Sequence, residues 1–126
     1  MKAQPVVAVL DDEPEMRKAL RRLLAPRGLR VAEYESGAEF LATLGSYPVD
    51  CILLDLQMLG LNGLEVLENL RTHQIPVPVI VITAHDEPGT AERVRSLGAF
   101  AYLKKPVERD SLLLAIADAM AATQKQ

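Results

Sequence analysis

The chain has 126 residues, 49% hydrophobic and 25% charged, a balance that suits one domain able to bury a core without staples. A formal charge of −3, no tryptophan and no basic cluster argue against nucleic-acid binding by this segment. No apolar stretch nears the roughly 20 residues of a membrane helix, the start Met-Lys-Ala-Gln-Pro lacks a signal-peptide core, and a single cysteine excludes an internal disulfide, so a cytoplasmic location is expected.

The first apolar run, Val6-Val7-Ala8-Val9-Leu10, predicts a strand over 6–10 that ends on two acids, Asp11 and Asp12. A helix follows over 14–26. Met16, Ala19, Leu20, Leu23 and Leu24 share one face, while Arg17, Lys18, Arg21 and Arg22 point outward. Pro14 suits its first turn, where a missing N–H has no partner to lose, and Gly28 suits its C-cap. A second strand is expected over 29–33 and a helix over 36–45.

The third run, Cys51-Ile52-Leu53-Leu54, is apolar on both faces, as in a parallel sheet covered by helices. Cys51 reads as a small buried hydrophobe. Asp55 closes the run, in the crevice where open α/β sheets bind ligands. Helices over 63–73, 88–97 and 108–122 alternate with strands over 78–83 and 100–103, and the tail 123–126 is expected to fray. Five such units predict a doubly wound α/β fold, a five-stranded parallel sheet with helices on both faces.

Chemistry-bearing residues gather where strands end: Asp11, Asp12, Asp55, Thr83 and, beyond the fifth strand, Lys105. Carboxylates from two strands, a carbonyl and waters suit Mg²⁺, a hard cation that prefers oxygen ligands. Carboxylates that close repel without a cation, which raises the pKa of at least one. Lys105 offers a fixed positive charge and Thr83 a hydroxyl for a phosphoryl oxygen. Taken singly, each of these residues has a plainer use as a turn, cap or strand residue. Their joint placement at successive strand ends is what carries the reading. His73 and His85 have no ligand spacing and read as surface histidines.

Four stretches, Val9-Leu10-Asp11-Asp12-Glu13-Pro14, Leu54-Asp55-Leu56-Gln57-Met58, Ile82-Thr83-Ala84 and Gly98 through Pro106, resemble the receiver domain of bacterial two-component response regulators (the CheY-like superfamily). The resemblance spans nearly the whole chain, read as a single receiver domain over 1–126. It implies a flavodoxin-like strand order 2-1-3-4-5. It implies that Asp55 accepts a phosphoryl group from a sensor histidine kinase. Asp12 and Asp55 would bind Mg²⁺ (or Mn²⁺) directly, the Gln57 carbonyl would be a third ligand, and Asp11 would act through water. Lys105 matches the family lysine, with Lys104 a solvated charge, while Thr83 and Tyr102 match the switch pair. Tyr102 also has a plainer reading as an amphipathic strand residue with a wet hydroxyl.

The resemblance further implies a signalling switch rather than an enzyme with a separate substrate. Its partner-binding surface would span 88–122, with a possible output domain or effector and possible dimerisation on phosphorylation. The chain departs from the family where Leu59 replaces a common proline, which should loosen the acceptor loop, and where Asn62 precedes Gly63. Gln57 and His85 resemble positions that tune phosphoryl lifetime. A phosphorylation-independent interaction module is the alternative, although such modules usually lack one of the acids, the threonine or the lysine. A flavin carrier would want a glycine- and hydroxyl-rich phosphate loop where this chain has Asp-Asp-Glu-Pro. An aspartyl-phosphate hydrolase would want an acid at Gln57.

Overall fold

The computed structural model describes residues 4–43, 48–58 and 62–124. Five parallel strands, β1 (Val6–Leu10), β2 (Arg30–Tyr34), β3 (Cys51–Asp55), β4 (Val79–Thr83) and β5 (Ala101–Lys104), form one sheet in the order β2-β1-β3-β4-β5. The helices are α1 (Pro14–Leu24), α2 (Gly37–Ala42), α3 (Gly63–Thr72), α4 (Thr90–Ser96) and α5 (Arg109–Gln124). The doubly wound α/β architecture and its flavodoxin-like order are those anticipated from the sequence.

Two cores form because strand side chains alternate between faces. On one face Ala8, Leu10, Ile52, Leu54, Val79 and Val81 pack with Phe40, Val66, Leu67 and Val94 from α2, α3 and α4. On the other, Val7, Val9, Cys51, Leu53, Ile80 and Ile82 pack with Leu20 and Leu24 of α1 and with Leu112, Ile116 and Ala119 of α5. Both faces of β1, β3 and β4 are therefore covered, which explains why their sequences are apolar without a polar alternation. Cys51 is fully buried, and burial pushes its thiol up to about 12. Among the described residues no helix is long and apolar enough to cross a membrane.

Element ends follow local chemistry. Pro26 has no N–H to continue the α1 ladder, so the chain tightens into a 3₁₀ turn over Ala25–Arg27. Gly28 then takes φ 82° and donates its N–H to the Ala25 carbonyl at 3.2 Å. Asn62 and Glu65 form a reciprocal capping box at the start of α3. Helix α4 begins at Thr90 rather than 88, because Gly89 at φ 87° breaks the helical path before it. Helix α2 is shorter than expected over the described residues; its predicted end at 44–45 lies outside them. Helix α5 continues to Gln124, into the stretch expected to fray.

The two faces assigned to α1 need one correction each. Ala19 is exposed, and Arg17 is half-buried. Arg17 turns back to the sheet, where its Nη1 donates to the Asp11 carbonyl at 2.6 Å and its Nε to Glu33 at 3.3 Å. Arg21 joins the same Glu33 at 2.6 Å, tying α1 to β2.

Candidate functional site

Register puts the acids side by side. Leu10 pairs with Leu54 in the β1–β3 ladder, so the residues that follow, Asp11 and Asp55, leave the sheet as neighbours. Their sequence separation is large, and only the parallel crossover brings them together. One carboxylate oxygen each from Asp11, Asp12 and Asp55 lies within 4.8 Å of the others. Asp11 and Asp55 are 3% and 5% exposed, while Asp12 is half-buried at the rim.

Lys105 enters this group from beyond β5. Its Nζ lies 3.0 Å from Asp11 Oδ2, 3.3 Å from Asp55 Oδ2 and 3.2 Å from Glu13 Oε1. Its backbone N–H donates to the Thr83 carbonyl at 2.9 Å, which anchors the root of the side chain to the end of β4. Burial works against the ammonium, yet the bonds to Asp11 and Glu13 and the charges of Asp11 and Asp55 outweigh it. The lysine is held charged, above its ordinary value.

Asp55 shows the opposite balance. Burial raises its pKa, and Asp11 adds to the rise. The Gln57 N–H, which donates to Asp55 Oδ1 at 3.0 Å, and Lys105 pull the other way without cancelling it. A hard cation among these carboxylates would shift the balance towards the ionised form, and an all-oxygen donor set is the kind such a cation takes. The donor chemistry therefore fits the metal anticipated from the sequence. The backbone helps: Asp11 Oδ1 accepts the Glu13 N–H at 2.9 Å, which fixes its rotamer at the mouth of α1.

The side chains of the other sequence-predicted residues make none of these contacts, although the Gln57 and Thr83 backbones do. Thr83 is fully buried at the end of β4, and its Oγ1 accepts the His85 N–H at 3.0 Å. Gln57 is exposed, and its backbone is what touches Asp55. The Tyr102 hydroxyl donates to Asp86 Oδ1 at 2.7 Å. Lys104 is exposed, as expected of a solvated charge, and pairs with Asp86 at 3.3 Å. Leu59 lies outside the described residues.

Sequence reasoning had not singled out three participants. Glu13 is a further anion on Lys105, and its place beside the acid pair was the available signal. Arg17 was read as a surface charge, and Asp86 lies in a loop without periodicity.

Residues 7–117 match the family model described as the response regulator receiver domain. The chain is 36% identical to the DNA-binding transcriptional regulator NtrC of Escherichia coli over 96% of its length and 26% of that relative. It is 33% identical to the transcriptional regulatory protein FixJ of Bradyrhizobium diazoefficiens over 90% of its length and 56% of that relative. The chain thus spans about a quarter to a half of these curated relatives. The structure of the Francisella response regulator 1452 receiver domain superposes with a TM-score of 0.89 at 27% identity, covering 94% of this chain and 98% of that one. With the family model matching most of the chain and the fold superposing on a receiver domain, the chain belongs to the response regulator receiver domain family of two-component signalling.

Proposed function

We propose that the chain is a phosphorylation-driven switch in which Asp55 accepts a phosphoryl group from a phosphohistidine of a sensor kinase. The observation that carries this reading is the buried pair Asp11 and Asp55, with Asp12 at its rim and Lys105 set between the two. In the transfer, an Asp55 oxygen forms the new P–O bond as the donor's P–N bond breaks, and the bonding pair leaves with the imidazole. The lysine ammonium offsets negative charge on the phosphoryl oxygens in a site that is already largely dry. Asp11, fixed by the Glu13 N–H, keeps that ammonium in place. The Gln57 N–H orients the Asp55 carboxylate. Thr83 contributes a hydroxyl proton to a phosphoryl oxygen.

Held by Asp12, Asp55 and the Gln57 carbonyl, with Asp11 acting through water, Mg²⁺ (or Mn²⁺) would favour ionised Asp55 and offset charge on the incoming group.

Phosphorylation adds roughly −1.5 to −2 charge to the pocket. That charge biases the Thr83 and Tyr102 pair and, through it, the 88–122 surface towards an output domain, an effector or a second copy. In this reading the chain works as a cytoplasmic signalling protein that catalyses only its own phosphorylation and dephosphorylation.

Intact mass after incubation with acetyl phosphate, with and without Mg²⁺, tests the proposal. One added phosphoryl group that needs Mg²⁺ and is absent from Asp55→Asn is the expected result. No gain in any condition would replace this reading with the phosphorylation-independent interaction module.

A further inference from the structure

Tyr102 and Lys104 stand two residues apart on β5, so their side chains leave the same face of the strand. The loop after β4 sets Asp86 against both. Its Oδ1 accepts the Tyr102 hydroxyl at 2.7 Å, and its Oδ2 meets the Lys104 ammonium at 3.3 Å. Each carboxylate oxygen thus has its own donor, and the hydroxyl bond is of the short, charge-assisted kind. The Tyr102 hydroxyl, ahead of Lys104, holds the Asp86 carboxyl below its ordinary value. Burial, with the carboxylate beside it, pushes the Tyr102 phenol up to about 12.

The same loop begins at Thr83, whose hydroxyl accepts the His85 N–H at 3.0 Å. Asp86 is the next residue along. A Thr83 side chain that rotates towards a phosphoryl group gives up the His85 bond. It thereby releases one end of the short segment that carries Asp86. One loop therefore joins the hydroxyl that would sense the phosphoryl group to the carboxylate that holds the tyrosine.

We propose that Asp86 is a positioning residue that holds the Tyr102 ring outward in the unphosphorylated chain, with Lys104 steadying the carboxylate. The inward turn of Tyr102 then requires this contact to break. The proposal rests on the phosphoacceptor reading of Asp55 and adds a named restraint on the resting state. Tyr102 makes the larger contribution, because an exposed lysine pair in water adds little.

Two measurements on the full chain test it. The first uses NMR of chains labelled with ¹³C at the tyrosine Cζ, unphosphorylated, with the Tyr102 signal assigned by its loss in Tyr102→Phe. At a pH of about 10.5, near the ordinary tyrosine range, Tyr102 of the parent stays protonated. Asp86→Ala, which leaves the burial of the ring in place, ionises measurably more than the parent, and Asp86→Asn, which keeps an acceptor oxygen without the charge, falls between them. An identical Tyr102 signal and identical ionisation in parent and Asp86→Ala would overturn the proposal.

The second measurement is the rate of Mg²⁺-dependent phosphorylation by acetyl phosphate. Freeing the ring shifts the resting population, so Asp86→Ala gains roughly two- to fivefold. Tyr102→Phe gains as much, and Asp86→Ala adds nothing in the Tyr102→Phe background. Equal gains in both backgrounds mean that removal of a negative charge explains the effect, and the proposal fails. A chain that takes up no phosphoryl group in any form refutes the Asp55 reading instead, while the NMR result still decides whether Asp86 holds Tyr102.

Discussion

The centre of the sheet and its β5 edge hold their functional residues by different means. Strands β3 and β4 are buried at every position and β1 at all but its first, whereas no residue of β5 is fully buried and its last is exposed. The central strands lie between two helical layers, so packing on both faces fixes where Asp11, Asp55 and Thr83 emerge. Among the described residues β5 has one ladder partner, β4, and the tip of Tyr102 rests on one polar contact. Groups needed at fixed separation thus hang from the rigid part. The residue proposed to change position hangs where rearrangement is cheap.

Stability measurements will sharpen or break this contrast. Ile52 on β3 is fully buried, so Ile52→Ala should cost about 2–5 kcal/mol in urea unfolding. Leu114 on α5 is 63% exposed, and Leu114→Ala should stay within about 0.5 kcal/mol. Similar costs at the two positions would remove the distinction between a packed centre and a lightly held rim.

Gly63 probes the join between the end of β3 and the start of α3. A Cβ there would stand 2.6 Å from the Leu56 Cα and 2.9 Å from the Asp55 carbonyl oxygen, both backbone atoms. Gly63→Ala should cost about 1–3 kcal/mol and slow phosphorylation by displacing the acceptor. Parent-like values for both would show that the loop yields more easily than the packing implies.

Two carboxylates should respond to pH with opposite signs. The folded pKa of Asp55 is raised, so its contribution to stability is complete in acid, below the ordinary carboxyl range, and is lost as pH rises through the folded value. In the presence of a chelator, Asp55→Asn should therefore melt about 2–4 °C above the parent near neutral pH. The gap should close on acidification, and a gap that instead widened in acid would contradict this balance.

Glu33 is held low, first by the Arg21 bond against a smaller cost of burial, with Arg17 adding to the effect. Its stabilisation is present above the ordinary carboxyl range and lost as pH falls through the folded value. Since the pair is partly exposed, Glu33→Gln should cost less than about 1 kcal/mol at neutral pH. A cost that persisted at a pH of about 3 would show that charge is not its source.

The sequence made the sheet centre legible because burial on both faces leaves runs such as Cys51 through Leu54 with no polar residue. The acids at the ends of those runs were legible for the same reason, since a charge stands out where an apolar run stops. Strand order was not available from spacing and came from the family resemblance. At the rim the signal weakens. The delayed start of α4 depends on the backbone of Gly89, the inward turn of Arg17 on a carbonyl at the end of β1, and the Tyr102–Asp86 bond on a loop path that no periodicity encodes.

The sole cysteine among the 126 residues sits at the start of β3, fully buried, with its thiol pushed up to about 12. At neutral pH almost none of it is thiolate, and a reagent has no route to it while the sheet is closed. Alkylation of Cys51 must therefore wait for the innermost strand to open. The native chain carries its own reporter of global unfolding, and labelling kinetics at neutral pH will time that event without an added dye or an engineered site.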